Sequence, residues 1–155
     1  MLIRIYRPDD ASRLSAIYRA AVTEIGTRDY SPDQVLAWSA LAPSPERFAE
    51  ITGDGRLTLV ATDEEDRAVA FADLEPDGHI HFLYADPDVA GTGRVSALYD
   101  ELEQKARELG ITRLYLEASE AALRFFLKKG FTKTARRDFE IDGIPIHNYA
   151  VEKRL

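Results

Sequence analysis

The run His79-Ile80-His81-Phe82-Leu83-Tyr84-Ala85-Asp86-Pro87-Asp88-Val89-Ala90-Gly91-Thr92-Gly93-Arg94-Val95-Ser96, continuing to Gly110, changes character twice. Ile80 to Ala85 is apolar and aromatic and reads as a buried strand. Pro87 to Gly93 holds one proline and two glycines, which favour a tight connection over a continued strand or helix. From Val95 the apolar residues Val95, Leu98, Leu102, Ala106 and Leu109 recur in steps of three and four, so they form one helical stripe, and Gly110 follows where a left-handed cap is expected.

Strand, glycine turn and helix together make a phosphate-binding geometry. The first N–H groups of a helix lack intrahelical partners, and the aligned peptide dipoles put partial positive charge there. Gly91 and Gly93 let that backbone approach an anion closely. The competing reading is that the two glycines satisfy turn conformation and nothing more.

The segment Asp86 to Val95 after Leu83-Tyr84-Ala85 resembles the acetyl-CoA pyrophosphate loop of the GNAT superfamily of N-acetyltransferases, Gln/Arg-x-x-Gly-x-Gly/Ala. Downstream, Leu116-Glu117-Ala118-Ser119 and Arg124-Phe125-Phe126-Leu127-Lys128-Lys129-Gly130-Phe131 resemble that superfamily's next strand and its Phe-Tyr-x-x-x-Gly-Phe helix end. In this register Ala90 takes the Gln/Arg position, Val95 the last Gly/Ala position, and Phe126 the place of a frequent tyrosine. The resemblance covers nearly the whole chain. It implies an α/β (α+β) fold with a mixed, mostly antiparallel central sheet of about seven strands flanked by helices.

The rest of the chain agrees with one domain over residues 1–155, since 155 residues suffice for one sizeable core. An apolar fraction of 45% with 30% charged residues is that of a soluble globular protein. No apolar run approaches the roughly 20 residues a membrane span needs. Met1 to Arg4 lacks a basic start and an apolar core, so a cytoplasmic location is the expectation. Zero cysteines remove disulfides, thiolate metal sites and a cysteine nucleophile. His79-x-His81 on a strand puts both rings on one face, but no carboxylate is arranged around them in sequence, so no metal is expected. A net charge of -7 argues against nucleic acid and favours a cationic acceptor.

In chain order, Leu2 to Tyr6 alternates as a strand, and Leu14, Ile17, Tyr18, Ala21, Val22 and Ile25 define an amphipathic helix from Ala11 that Gly26 closes. Ser31-Pro32-Asp33-Gln34 is a capping box opening a second helix through Trp38, and Ser44-Pro45 opens a third that runs to about Ile51. Leu57–Thr62 and Ala68–Leu74 read as strands of an antiparallel meander that continues into Ile80–Ala85. The long helix after them makes Thr112–Glu117 a parallel neighbour of that last strand. Ser119 caps a helix over Glu120–Lys129, and Phe131–Glu140 and Ile144–Val151 are strands joined at Asp142-Gly143.

By resemblance the protein transfers an acetyl group from acetyl-CoA to a primary amine of a small molecule or peptide by direct attack. The backbone of Leu83, Tyr84 and Ala85 would hold the pantetheine arm, Ala90, Gly91, Thr92, Gly93, Arg94, Val95 and Ser96 the diphosphate, and Ser119 and Phe126 would flank the reacting end. The first two helices would border the acceptor pocket, with Tyr30 and Trp38 on its wall; core packing of Trp38 and a loop role for Tyr30 compete with this. His79 and His81 are the candidate bases because imidazole changes charge near neutral pH; Glu75, Glu117 and His147 follow. Phe126 has no proton to give, which leaves Tyr84, Tyr115, Ser119 or water to protonate the departing thiolate. A CoA-binding sensor or interaction module on the same fold is the alternative class. Whether the chain forms a homodimer stays open.

Overall fold

The computed structural model describes residues 2–155. In chain order the elements are β1 (Leu2–Ile5), α1 (Ala11–Ala20), α2 (Pro32–Ser39), α3 (Pro45–Thr52), β2 (Leu57–Thr62), β3 (Ala68–Leu74), β4 (Leu83–Ala85), α4 (Arg94–Glu108), β5 (Arg113–Ala118), α5 (Glu120–Lys128), β6 (Thr132–Ile141) and β7 (Ile144–Arg154). The expected single sheet is two: β1-β2-β3-β4 and β5-β7-β6, antiparallel throughout.

The two sheets are stitched together by one parallel bridge, His79 to Tyr115. There the N–H of Ile80 donates to the Tyr115 carbonyl at 3.0 Å and that of Tyr115 to the Gly78 carbonyl at 3.1 Å. The predicted parallel relation therefore holds at one point and then ends, because β4 and β5 diverge. The predicted strand over Ile80–Ala85 shortens for a local reason. The carboxylate of Asp73, buried on β3, takes the N–H groups of His81 at 2.8 Å and Phe82 at 2.7 Å. Those amides are consequently lost to regular strand pairing.

Strand alternation divides the core into two layers. Leu59, Ala61, Ala70 and Ala72 turn toward the apolar stripe of α4, while Val60 and Phe71 turn toward α1 and Phe48 of α3. Both faces of β2 and β3 are therefore covered, which explains the near-continuous apolar runs there. The predicted helix over residues 11–25 ends as an α-helix at Ala20 and continues as a π-helical turn, Ala21–Ile25, and a 3-10 turn, Gly26–Arg28. Gly26 keeps a helical φ of -59°. Its lack of a side chain matters for packing, since a Cβ there would stand 3.4 Å from the Trp38 ring.

Candidate functional site

A serine hydroxyl caps each of three helices: Ser31 accepts from Gln34 N at 3.2 Å, Ser44 from Arg47 N at 3.1 Å and Ser119 from Ala122 N at 3.3 Å. The longest helix, α4, is not capped in this way. Its cap residue is Gly93, which has no side chain to offer. Among the described residues, no acceptor takes the N–H of Gly91, Gly93, Arg94, Val95 or Ser96. Gly91 and Gly93 hold φ of 77° and 86°, and a Cβ on either would meet nothing within 4 Å. The loop thus turns bare backbone donors to open space at the positive end of a helix. It is pinned from below: the Asp86 carboxylate accepts from Asp88 N at 3.0 Å and meets Arg13 at 3.3 Å, and the Thr92 hydroxyl donates to the Val89 carbonyl at 2.6 Å.

From this loop a cavity of about 260 Å³ runs between the splayed strands. Ala90, Gly91 and Val95 line its mouth, and Ala85, Tyr84, Leu83, Ser119, Ala122 and Phe125 its length. A second cavity of about 130 Å³ shares Tyr30, Trp38, Leu83, Tyr84, Ser119 and Ala122 with it, so the two form one cleft. The far end carries His81, Glu117, His147 and Asn148 among Phe139, Ile141 and Ile146. Along the middle, β4 is an edge strand paired on one side only, to β3.

Of the candidate catalytic residues His79, His81, Tyr115 and Ser119, the cleft walls include His81 and Ser119. His79 lies behind the wall with both ring nitrogens engaged, Nδ1 2.7 Å from Glu75 Oε1 and Nε2 2.9 Å from Glu117 Oε1. The bond to Glu117 and then that to Glu75 push its pKa up to about 9 against the opposing effect of burial, and the same bond holds Glu117 below the usual carboxylate range. Two carboxylates do reach His79, contrary to the sequence expectation. Even so, no group of three His, Asp or Glu side chains among the described residues is arranged to hold a metal ion. Tyr115 donates its hydroxyl to Asp77, a bond that pushes the phenol up to about 12, and Arg113 lies 4.5 Å over its ring. His81 stacks on Phe82 at 4.3 Å, with Nδ1 3.8 Å from Glu75 Oε1.

Leu83, Tyr84, Ala85, Ala90, Gly91, Val95, Ser119 and Phe126 contribute to the cleft walls, and Thr92, Gly93, Arg94 and Ser96 stand at its mouth on the loop and the first turn of α4. Phe126 is fully buried between Tyr99, Phe125 and Phe131 and closes the floor. Desolvation raises the Tyr84 hydroxyl well above its ordinary range, so it stays protonated. Sequence reasoning missed the network behind the far end. His147 Nε2 lies 2.6 Å from Glu120 Oε1, the Tyr149 hydroxyl donates to the same oxygen at 2.7 Å, and these bonds lower the Glu120 pKa. The buried Tyr30 hydroxyl donates to the His147 carbonyl at 3.0 Å and accepts from Glu120 N at 3.1 Å. Burial pushes that phenol up to about 12.

The family model of the acetyltransferase (GNAT) domain matches residues 27–153. The chain is 29% identical to the uncharacterized N-acetyltransferase YafP of Escherichia coli over 95% of its own length and 91% of that protein's. Among solved structures it is similar to a GCN5-related N-acetyltransferase, aminotransferase class-II, from Rhodopseudomonas palustris, at 36% identity and a TM-score of 0.89 over 99% of this chain and 95% of that one. The PaiA N-acetyltransferase of Thermoplasma acidophilum, solved in complex with coenzyme A, superposes over the full length of both chains at 19% identity and a TM-score of 0.78.

Proposed function

The chain belongs to the acetyltransferase (GNAT) domain family, and on that premise we propose that it moves the acetyl group of acetyl-CoA to a primary amine by direct attack within the cleft. One observation carries the assignment to this cleft. Unsatisfied backbone donors at the head of α4 open into a channel that leads past an unpaired strand edge to His81 and Glu117. A diphosphate fits the loop because Gly91, Gly93, Arg94, Val95 and Ser96 offer it N–H groups that no protein acceptor uses. The edge of Leu83, Tyr84 and Ala85 suits an amide-bearing arm, and an N–H there polarises the acetyl carbonyl.

In the transfer, the amine nitrogen forms a bond to the carbonyl carbon and the carbon–sulfur bond breaks. The proton lost by the amine goes to His81, directly or through one water, and the sulfur takes a proton from Tyr84, Ser119 or water. His79 serves as a positioning residue: it fixes Glu117 at the cleft wall and has no free nitrogen with which to accept a proton.

Thermal denaturation with acetyl-CoA, followed by an assay of CoA thiol release with a panel of amines, tests the proposal. Ligand at about a hundred times its dissociation constant adds roughly 2.7 kcal/mol. At about 2 to 4 °C per kcal/mol, the midpoint then rises by roughly 5 to 10 °C. His81→Gln lowers kcat by about 100-fold and leaves the acetyl-CoA shift intact. An unchanged midpoint together with no thiol release from any amine overturns the reading.

A further inference from the structure

We infer that the acceptor is a compact primary amine whose ammonium is its only charge and whose body is a single ring or a branched chain of similar bulk. This rests on the transfer reading above and concerns the far end of the same cleft. Size sets the first limit. That end measures about 130 Å³, and a cavity of roughly 150 Å³ walled by Leu, Ile and Phe is enough for benzene. One ring fits inside it, and a larger acceptor has to extend out through its opening.

The walls set the second limit. Trp38, Phe139, Ile141 and Ile146 converge from α2, β6 and β7. The part of the acceptor lying against these four residues is favoured when apolar or aromatic, and a second polar group set there would lose its water without gaining a partner.

Charge sets the third. Glu117 is the carboxylate of the wall, and no lysine or arginine lines it. Two cations near it are paired with carboxylates and a third with a neutral amide. His79 is held between Glu75 and Glu117, Arg137 donates to Asn148 Oδ1 at 3.0 Å, and Arg124 pairs with Asp29 at 2.8 Å. An amine that also carries a carboxylate or phosphate finds no lysine or arginine in this wall. A polyamine must set its second ammonium against Phe139, Ile141 or Ile146. A single ammonium, by contrast, meets Glu117 beside His81, and the chain's net charge of -7 attracts it from solution.

Trp38 is the only tryptophan in the chain and forms part of this wall, so its fluorescence reports occupancy whether or not transfer occurs. The experiment titrates the CoA-loaded protein with 2-phenylethylamine, phenylalanine and spermidine, and assays thiol release in parallel. The expected result is half-saturation by 2-phenylethylamine at a concentration about 30-fold or more below that of either other amine, a gap of roughly 2 kcal/mol. Glu117→Gln weakens 2-phenylethylamine about tenfold or more by removing a charged hydrogen-bond partner. Ile141→Arg, which adds a guanidinium to the wall, moves the preference toward phenylalanine. Equal or tighter binding of phenylalanine or spermidine to the unmodified protein overturns the inference, as does an unperturbed Trp38 with all three. If 2-phenylethylamine binds as expected and no thiol is released, the pocket inference stands and the transfer reading falls.

Discussion

The two ends of the cleft are built by opposite means. At the glycine-loop end the exposed groups are backbone amides, supplied within one short stretch by Gly91 and by Gly93 to Ser96 and aimed by φ angles of 77° and 86°. At the histidine end they are side chains from α2, β5, β6 and β7 and the segment leading into β4, supported by hydrogen bonds between residues as far apart as Tyr30 and His147. A backbone site is therefore local in sequence. A side-chain site exists only after the sheets have met. The place where they meet, the bridge from Gly78 and Ile80 to Tyr115, decides whether the second site forms.

The largest expected effect falls on that junction. Gly78 holds φ of 96°, and a Cβ there would stand 2.0 Å from the Arg113 carbonyl oxygen. Neither the strand backbone nor the turn can yield by the distance required. Gly78→Ala is expected to cost about 4 kcal/mol or more, measured as a lowered urea midpoint. Gly91→Ala, at a similar φ but in open space, costs about 1 kcal/mol. If the two variants are equally stable, the junction is soft and the contrast between the ends loses its basis.

A smaller effect, of roughly 2 kcal/mol, is expected for His79→Ala, and its pH dependence identifies it. The pKa of His79 rises from an ordinary 6.5 to about 9 in the folded chain. A raised pKa means that folding favours the protonated form. The contribution is thus fully present below about 6.5 and disappears as pH climbs through 9. Glu117, held low by the same bond, limits the window on the acid side, where protonation of the carboxylate breaks the pair. Urea midpoints of the native chain and the variant should therefore differ most around pH 6 to 7, roughly the ordinary His value, and converge above 9. A difference that stays constant across that range would mean that His79 acts by packing alone.

Legibility in the sequence follows the same division. The serine caps, the Asp142-Gly143 hairpin and the glycine loop each depend on residues within four positions of one another, and each was readable. The order of elements and the GNAT family followed from them. The break in the strand before Leu83 was not readable, because Asp73 looks like an ordinary polar residue at a strand end until its carboxylate is seen against His81 N and Phe82 N. The shared face of His79 and His81 was readable, and their rings lie 5.9 Å apart; what was not readable is that Glu75 and Glu117 engage both nitrogens of His79 while His81 lines the cleft. Glu120 gave no signal beyond that of an acidic residue in the first turn of a helix.

The smallest effect is expected where the far wall is held from behind. The Tyr30 hydroxyl ties α5 to β7 by accepting from Glu120 N and donating to the His147 carbonyl. Tyr30→Phe keeps the ring that packs on Trp38 at 5.5 Å and removes only that link. Two partly buried backbone groups then lose a partner, at a cost of about 1 kcal/mol. Because the substitution keeps the ring, which lines both cavities, and removes only bonds at the acceptor end, the Michaelis constant for the amine should rise about threefold to tenfold, the equivalent of roughly 1 kcal/mol, while acetyl-CoA affinity stays constant. Equal weakening of both ligands would mean that the cleft behaves as one unit, with Tyr30 bracing its whole length rather than one end.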